Sequence, residues 1–247
     1  MPRIHWMDEI QLIKDQWLSE MFGHDVLRLA LNGSQDEDDF DLCKDIRHHV
    51  ERRPIFIYTK VSVNAIRYIH GLEKVGFHLV DTSIFFEKQI VTDRPFCAST
   101  KIRFARGEDK AEVGRIALRN FLYSRFHLDP KIPDEIANSV KANWATNFFT
   151  GKRGDAMIVS EHEGRLAGFL QLLYHGANII IDLIAVDRMY RRNHIASDMI
   201  DFAQRNLNGA NYIRVGTQVA NLPSMALYEK AGFMITDAAY VFHYHNR

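Results

Sequence analysis

The sequence predicts an α/β fold, and three stretches carry this prediction. Residues 178–186 form an apolar, isoleucine-rich run, which a short basic loop connects to apolar residues at helical spacing over 195–203. Two apolar runs, 156–160 and 165–174, flank a glycine-containing turn and predict a β-hairpin. Residues 212–219 alternate between apolar and polar types, as a half-buried strand does, and a second helical stretch follows them.

The elements near the N-terminus are predicted in chain order. Residues 7–21 carry apolar side chains at helical spacing, residues 24–31 alternate as a strand, and residues 55–61 form a further strand. The acidic run 34–41 lacks the glycine and the distant glutamate of a calcium loop. It therefore predicts a solvated helix N-terminus, and the helix continues to Arg52.

Two further helices are predicted before the hairpin. Residues 101–105 form a short strand, and helical spacing follows over 108–120 and 136–149, on either side of a segment with two prolines. From residue 101 onward the order is strand, two helices, three strands, helix, strand, helix and a final pair of strands.

Composition limits the function classes. The chain has 247 residues, which allows one large domain or two small ones, and 47% of them are apolar, enough for a buried core. The 31 basic residues balance the 31 acidic ones, so no global charge favours nucleic acid or an anionic membrane. We expect no signal peptide and no membrane-spanning segment. Cys43 and Cys97 lack zinc-type spacing, and a reduced, cytoplasmic protein is expected.

The basic loop at residues 187–193 predicts an anion site. It connects a strand to a helix N-terminus, where backbone N–H groups and the positive end of the helix dipole face the same point. Arg191 and Arg192 add two full positive charges. A cofactor that carries phosphate is the ligand that this arrangement favours.

Residues 190–196, Tyr-Arg-Arg-Asn-His-Ile-Ala, resemble the pyrophosphate loop of the GNAT acyltransferase superfamily. Arg191 and Ala196 match the family pattern, and His194 stands where a glycine is expected. Because glycine there permits close backbone approach to phosphate, we expect altered rather than abolished binding. Residues farther along the chain match the second half of the family pattern in order and spacing: Asn221, Leu227, Tyr228, Gly232 and Phe233.

An internal repeat indicates a second, shorter copy of the same fold. Residues 72–77 and 81–86 echo residues 228–233 and 237–242 at a constant offset. The first copy has Leu72 in place of the tyrosine and has no basic loop before a helix. We expect it to contribute packing, or the shape of the acceptor site, rather than chemistry.

The resemblance implies the GNAT fold, an α+β fold with a mixed, mostly antiparallel central sheet that is splayed at the acyl-CoA site. It covers roughly residues 101–247, which are expected to form the catalytic N-acyltransferase domain. Residues 1–92 are expected to form a truncated GNAT-like domain, and residues 93–100 a linker.

The resemblance also implies the chemistry, which is transfer of an acyl group from acyl-CoA to an amine. The pantetheine arm would pair with an exposed strand edge, and a backbone N–H near Val186 would polarise the thioester carbonyl. Tyr228 is the candidate general acid, because a phenol with a pKa of about 10 is protonated at neutral pH. Asp182 interrupts an apolar strand and is the candidate general base or acceptor contact. The residues expected to bind acyl-CoA are Ile184, Ala185, Val186, Arg191, Arg192, Asn193, His194, Ile195, Ala196, Asn221, Ser224 and Tyr228.

The histidines do not predict a metal site. His48 and His49 would point to different sides of a helix. His243 and His245 share one strand face, but no further ligand is apparent that would converge on them. No Gly-x-Ser-x-Gly nucleophile elbow predicts a hydrolase. We therefore expect acyl-CoA as cosubstrate and no metal.

A closer resemblance suggests the acceptor. Residues 124–126, the helix around Trp144 and residues 214–218 are similar to the TDP-fucosamine acetyltransferase branch. That branch implies transfer of acetyl, or of a longer acyl group, to the amine of a dTDP-linked deoxyamino sugar in surface-polysaccharide or O-antigen synthesis. The expected substrate contacts are Arg125, His127, Trp144, Asp182 and Gln218.

Two alternatives remain open from the sequence. A protein, peptide or small-amine N-acetyltransferase would share the fold and the acyl donor. A non-catalytic acyl-CoA-sensing module would account for His194. The resemblance also implies a homo-oligomer formed through exposed strand edges, with no nucleic-acid or membrane partner.

Overall fold

The strands and helices can be followed through four stretches of the chain. The computed structural model describes residues 10–31, 54–91, 98–207 and 209–246. Several sequence predictions fall outside these described residues: the acidic run 34–41, the helix to Arg52, Cys43, His48, His49, Cys97 and most of the expected linker.

The described elements belong to two units. The first unit comprises Met1–Ser83, Leu128–Lys131 and Ala238–Arg247. The second unit comprises Ile84–His127 and Ile132–Asp237. Each unit has its own core.

The first unit is built on five strands. Its elements are β1 (Ile10–Lys14), α1 (Gln16–Phe22), β2 (Asp25–Leu31), β3 (Ile55–Ser62), α2 (Ile66–Val75), the first half of β4 (His78–Gln89) and most of β10 (Met234–Asn246). The strands lie in the order β1-β2-β3-β10-β4. β2 and β3 are parallel, whereas β1 with β2 and β3 with β10 are antiparallel. Helix α2 buries Tyr68 and Leu72 against Ile57 and Phe242.

The predicted helix over residues 7–21 is wrong over residues 10–14 and confirmed over residues 16–21. β1 pairs with β2, and α1 begins only at Gln16. Asp15 caps this helix, because its Oδ1 accepts a hydrogen bond from the N–H of Leu18 at 2.9 Å. Gly23, with a φ of 70°, ends it. Pairing with β2, the next strand along the chain, has overridden a local pattern that suits a helix.

The predicted repeat has the same local structure in both places. Helices α2 and α6 (Leu222–Lys230) are each followed within two residues by a left-handed glycine, Gly76 with a φ of 95° and Gly232 with a φ of 84°. The phenylalanine after each glycine donates its N–H back to the helix at 3.0 Å, to the carbonyls of Leu72 and Tyr228 respectively. This hydrogen bond needs a left-handed residue before it, which favours glycine.

The second unit contains most of the remaining elements. They are β5 (Lys101–Phe104), α3 (Lys110–Asn120), α4 (Asp134–Thr146), β6 (Ala156–His162), β7 (Arg165–His175), β8 (Asn178–Val186), α5 (Ile195–Asn206), β9 (Tyr212–Gln218) and α6. With the second half of β4, the strands lie in the order β4-β9-β8-β7-β6-β5. Neighbours from β5 to β8 are antiparallel, and β8 with β9 is parallel. The predicted mixed, mostly antiparallel α+β sheet is therefore confirmed.

The boundaries between the two units lie at other positions than the expected linker at residues 93–100. β4 passes from the first unit into the second after Ser83, and β10 passes back after Asp237. Residues 128–131 also return to the first unit. A strand that continues through both units carries no change of composition at the crossing, so the sequence does not mark it. In the part of the chain that the structure describes, none of the helices has both the length and the apolar character needed to cross a membrane.

β8 contains a β-bulge at Asp182. Gln171 of β7 pairs with Leu183, and the next residue, Leu172, pairs with Ile181. Asp182 is therefore the extra residue, with none opposite it on β7.

The bulge reverses the faces of β8. Ile179 and Ile181 belong to the core cluster around α5 and α6. Leu183 and Ala185 belong instead to the core cluster around α3. Strict alternation would place all four side chains on one face. The bulge thus lets one strand supply apolar side chains to both cores of the second unit.

Candidate active site

β8 and β9 are paired over only part of their length. Their pairing ends at Ile181 and Val215, although β8 continues to Val186 and β9 to Gln218. On its other side β8 remains paired with β7 as far as Val186. Residues 184–186 therefore have one hydrogen-bonding edge that β7 occupies and one that faces the gap to β9. The predicted splay of the sheet is confirmed.

The loop after β8 reaches α5 through two left-handed residues. Arg192 has a φ of 66° and His194 a φ of 58°. His194 directly precedes α5, and no side chain of the described residues caps that helix. It adopts the conformation that the expected glycine would adopt, at a cost of about 1 kcal/mol. The helix N-terminus beyond it includes the predicted Ile195 and Ala196.

Ser99 holds the start of α5 in place. Its N–H donates a hydrogen bond to Oδ2 of Asp198 at 2.9 Å. Its hydroxyl donates to the carbonyl of Asn193 at 2.8 Å. These contacts fix the loop conformation from outside the strand–helix connection.

The two arginines of the loop differ in their contacts. Arg191 Nε donates to the carbonyl of Val186 at 3.1 Å, and its Nη2 donates to Oδ1 of Asn120 at 3.0 Å. Arg191 therefore ties the loop to the end of β8 and to α3. Arg192 is exposed beside the helix N-terminus, where a ligand phosphate would lie.

Tyr228, on α6, is buried in the core cluster that also contains the apolar side chains of α5. It is 2% exposed and packs against Phe86 and Phe233, with ring centroids 5.6 and 5.5 Å away. Ile184 and Val186 pack against the same cluster. Burial raises the pKa of Tyr228 above its ordinary value of 10.0. The phenol therefore keeps its proton at neutral pH, as a general acid requires.

Asn221 and Ser224 lie at the end of β9. Oδ1 of Asn221 accepts from the N–H of Ser224 at 3.3 Å and so caps α6. Nδ2 of Asn221 donates to Oγ1 of Thr217 at 3.4 Å. Thr217 and Gln218 follow the last residue of β9 that pairs with β8, so this group lies beside the gap.

Asp182 is held by four N–H donors from three residues. Arg153 donates from Nε to Oδ2 at 2.8 Å and from Nη2 to Oδ1 at 2.6 Å. Trp144 Nε1 donates to Oδ2 at 2.8 Å, and Gln171 Nε2 donates to Oδ2 at 3.0 Å. The side chain is 7% exposed. Protonation would weaken this bidentate ion pair, so the contacts favour a positioning role for Asp182 over the predicted role as base.

A second hydrogen-bonded chain lies along the same helix α4. Nε2 of His127 is 3.1 Å from Oδ1 of Asn138, and Nδ1 of His127 is 2.6 Å from Oγ of Ser124. Because a carbonyl oxygen only accepts, Nε2 carries the proton, and in the neutral ring Nδ1 accepts from the serine hydroxyl. Burial, and less strongly the charge of Lys141, lower the pKa of His127 below its ordinary value of 6.5.

The face of α4 connects these two groups. Asn138, Lys141 and Trp144 are spaced three residues apart, so they share one side of the helix. The span from the first to the last is about 9 Å along the axis. The Lys141 ammonium lies 4.8 Å from the Trp144 ring centroid, and the Arg153 guanidinium lies 4.4 Å from it. The structure therefore brings together three of the predicted substrate contacts, Asp182, Trp144 and His127.

The other two predicted substrate contacts lie elsewhere in the second unit. Arg125 follows Ser124, and its guanidinium lies 4.5 Å from the ring of Phe126. Gln218 is the last residue of β9.

Sequence reasoning missed Arg153, Gln171, Asn138 and Lys141. Two of them had a readable signal. Arg153 stands between two glycines in a turn, and Gln171 interrupts an apolar strand as Asp182 does in the next strand. Asn138 and Lys141 look like ordinary solvated positions of a helix.

A charged groove of about 800 Å³ is lined by β5, the start of α3, the β6–β7 turn, and Asp187, Met189 and Tyr190 of the loop after β8. Its charges pair with one another. Arg103 contacts Asp109 at 2.7 Å and Glu161 at 3.2 Å, and Arg115 contacts Asp187 at 3.0 Å. We assign it no ligand because these pairs already satisfy each other.

Comparison with known proteins supports the fold. Residues 118–233 match the model of the acetyltransferase (GNAT) family. The spore coat polysaccharide biosynthesis protein SpsD of Bacillus subtilis (strain 168) is 29% identical over 137 residues, covering 55% of this chain and 47% of that protein. The chain thus spans about half the length of this curated relative.

Solved structures share the fold over most of the chain. A GCN5-related N-acetyltransferase from Sphaerobacter thermophilus has a TM-score of 0.60 at 13% identity, over 90% of this chain and 73% of that one. A tandem GNAT protein from the clavulanic acid biosynthesis pathway has a TM-score of 0.60 at 14% identity, over 90% and 75%. At these identities the likeness concerns the fold alone.

Residues 118–233 are therefore similar to the acetyltransferase (GNAT) family, and the chain has the fold of the solved GNAT structures.

Replacing His194 with glycine tests the strained loop. We expect the free energy of unfolding to rise by up to about 1 kcal/mol, because glycine removes the strain of the left-handed conformation in the folded state. Glycine also raises the entropy of the unfolded chain, which opposes this gain but is the smaller effect. We also expect acetyl-CoA to bind several-fold more tightly, because no Cβ limits backbone approach to the diphosphate. Denaturant titration and calorimetry measure the two effects. His194→Ala is the control, since it removes the imidazole and keeps a Cβ. Equal gains in both variants would rule out the backbone explanation.

Proposed function

We propose that the protein transfers an acyl group from acyl-CoA to the amine of a dTDP-linked deoxyamino sugar, in surface-polysaccharide or O-antigen synthesis. One observation carries the proposal, namely the end of β8–β9 pairing at Ile181 and Val215 beside an uncapped helix N-terminus. Acetyl is the default acyl group, and a longer chain fits the same contacts. A cytoplasmic location is part of this proposal, since acyl-CoA is its donor.

The donor half of the reaction uses backbone groups. The pantetheine arm pairs with the open edge of residues 184–186 as an added strand would. The diphosphate lies on the N-terminus of α5, where Arg192 supplies a positive charge. A backbone N–H at the end of β8 donates to the thioester oxygen as negative charge develops there.

The acceptor half uses the face of α4. Lys141 and Arg153 place positive charge around the Trp144 ring, while the Asp182 carboxylate is already paired with Arg153. This charge suits an anionic nucleotide diphosphate better than a lysine-rich peptide, which would need an acidic groove. The name of the relative SpsD, a spore coat polysaccharide biosynthesis protein, supports a sugar acceptor.

The proton steps of the proposed reaction use two titratable side chains, His127 and Tyr228. The amine nitrogen attacks the thioester carbon, the C–N bond forms and the C–S bond breaks, with the electron pair leaving on sulfur. The Ser124 hydroxyl takes the amine proton as it passes its own proton to Nδ1 of His127, with which it is hydrogen-bonded. Tyr228 gives its proton to the departing thiolate. Asp182 orients Trp144 and Arg153 rather than accepting the proton.

A panel of acceptors tests the function. Purified protein is mixed with acetyl-CoA and dTDP-amino sugars, unlinked amino sugars, peptide amines or small amines, and thiol release is followed. We expect turnover with the dTDP-amino sugars and little with the others. Turnover on peptides or small amines alone would establish the alternative acceptor class. Tight acetyl-CoA binding without release on any acceptor would establish a sensing module, which His194 favours.

Tyr228→Phe tests the general acid. We expect kcat to fall by about 100-fold or more, because the thiolate leaves unprotonated, while the Kd for acetyl-CoA stays the same. Tyr212→Phe is the matched control, because it removes a hydroxyl at the far end of β9, where the two strands are still paired. Unchanged kcat in Tyr228→Phe would remove this residue from the mechanism.

The pH dependence of kcat separates the two candidate bases. Burial lowers the pKa of His127 below its ordinary value, so we expect kcat to fall only at a pH more acidic than that of an ordinary histidine's titration, where the ring gains its proton. His127→Gln should remove this acidic limb and lower the plateau about 100-fold. Asp182→Asn should lower kcat but keep its fall at acidic pH. If that fall is retained in His127→Gln and lost in Asp182→Asn, then Asp182 is the base.

A further inference from the structure

Three side chains of the first unit converge on one point. His243 and His245 are two residues apart on β10, so both point to the same face of the strand. Asp129 comes from the short segment 128–131 of the same unit. Its Oδ2 accepts from Nδ1 of His243 at 2.7 Å and from Nε2 of His245 at 2.8 Å. The three candidate ligand atoms lie within 4.8 Å of one another.

The group is closed to water and held by its surroundings. The side chains are 4%, 1% and 2% exposed for Asp129, His243 and His245 respectively. The Phe56 ring stacks parallel to His245 at 4.5 Å and meets His243 edge-on at 4.7 Å. The N–H of Lys131 donates to Oδ1 of Asp129 at 2.9 Å, which fixes the carboxylate plane. Ligands of bound metals are oriented by outer contacts of this kind.

Two imidazole nitrogens and one carboxylate oxygen are a ligand set that zinc prefers. Zinc at about 2.0–2.1 Å from each atom would hold the ligand atoms about 3.3 Å apart, so the two distances from Oδ2 of Asp129 to the ring nitrogens must each lengthen by about 0.5 Å. Each ring nitrogen must also pass the proton that it now shares with Asp129 to the other nitrogen of its ring. The second oxygen of Asp129 completes four-coordination.

We propose that Asp129, His243 and His245 form a structural site for zinc or a similar divalent transition metal. The site binds the segment 128–131 to β10 and stabilises the first unit. The metal carries out no step of acyl transfer. The sequence expectation of no metal rested on the lack of a converging ligand, and Asp129 is such a ligand.

Metal analysis of the full chain tests the site. Tag-free protein is stripped with chelator and titrated with Zn²⁺, and bound metal is measured by mass spectrometry and calorimetry. We expect one tightly bound zinc per chain and a higher Tm with zinc than without it. If the protein binds less than about a tenth of an equivalent of zinc and its Tm does not change, the three residues form only a hydrogen-bonded network.

Variants and a spectrum locate the metal. Asp129→Asn should weaken zinc binding by more than the ~100-fold that loss of an outer contact costs. His70→Gln, which changes an exposed histidine on α2, should bind zinc as the wild type does. Retained affinity in Asp129→Asn would overturn the proposal. If that variant fails to fold, X-ray absorption of the zinc-loaded wild type decides, because the site requires two imidazoles and oxygen ligands, and any other set refutes it.

Discussion

The extra residue at Asp182 is the constraint on which the second unit depends. It follows Ile181, the last residue of β8 that pairs with β9. Beyond it the side chains of β8 change faces, so that Leu183 turns toward the core around α3 while Ile181 belongs to the core around α5. The carboxylate is stabilised by four N–H donors. These hydrogen bonds offset the cost of burying the carboxylate at the bulge.

Gly168 on β7 fits the same arrangement. A Cβ there would lie 2.7 Å from the carbonyl oxygen of Ala185, closer than any carbon–oxygen contact tolerates. β7 therefore comes close to the end of β8 only because position 168 has no side chain. The edge of β8 that faces the gap is thus backed by a tightly packed strand, and a rigid edge is what positions a thioester carbonyl.

The fold could be read largely from sequence because its signals are local. β8 has the predicted bounds, and the glycine after each repeated helix is left-handed as the pattern requires. The helix expected over residues 7–21 is wrong over residues 10–14, because pairing with β2 decided the outcome. The contacts of the candidate site residues could not be predicted from local pattern: Asp182 was visible, but Arg153 lies 29 residues away from it. Likewise the His243–His245 pair was visible, but Asp129 lies 114 residues from His243, and no spacing rule connects them.

The passage of β4 and β10 through both units bears on how the chain can be divided. A fragment that began at residue 101 would retain β10 without β3, the strand with which residues 239–246 pair. Eight residues of backbone would then be left as an open edge, prone to aggregation. A truncated gene that encoded residues 101–247 alone would therefore produce a protein with this exposed edge.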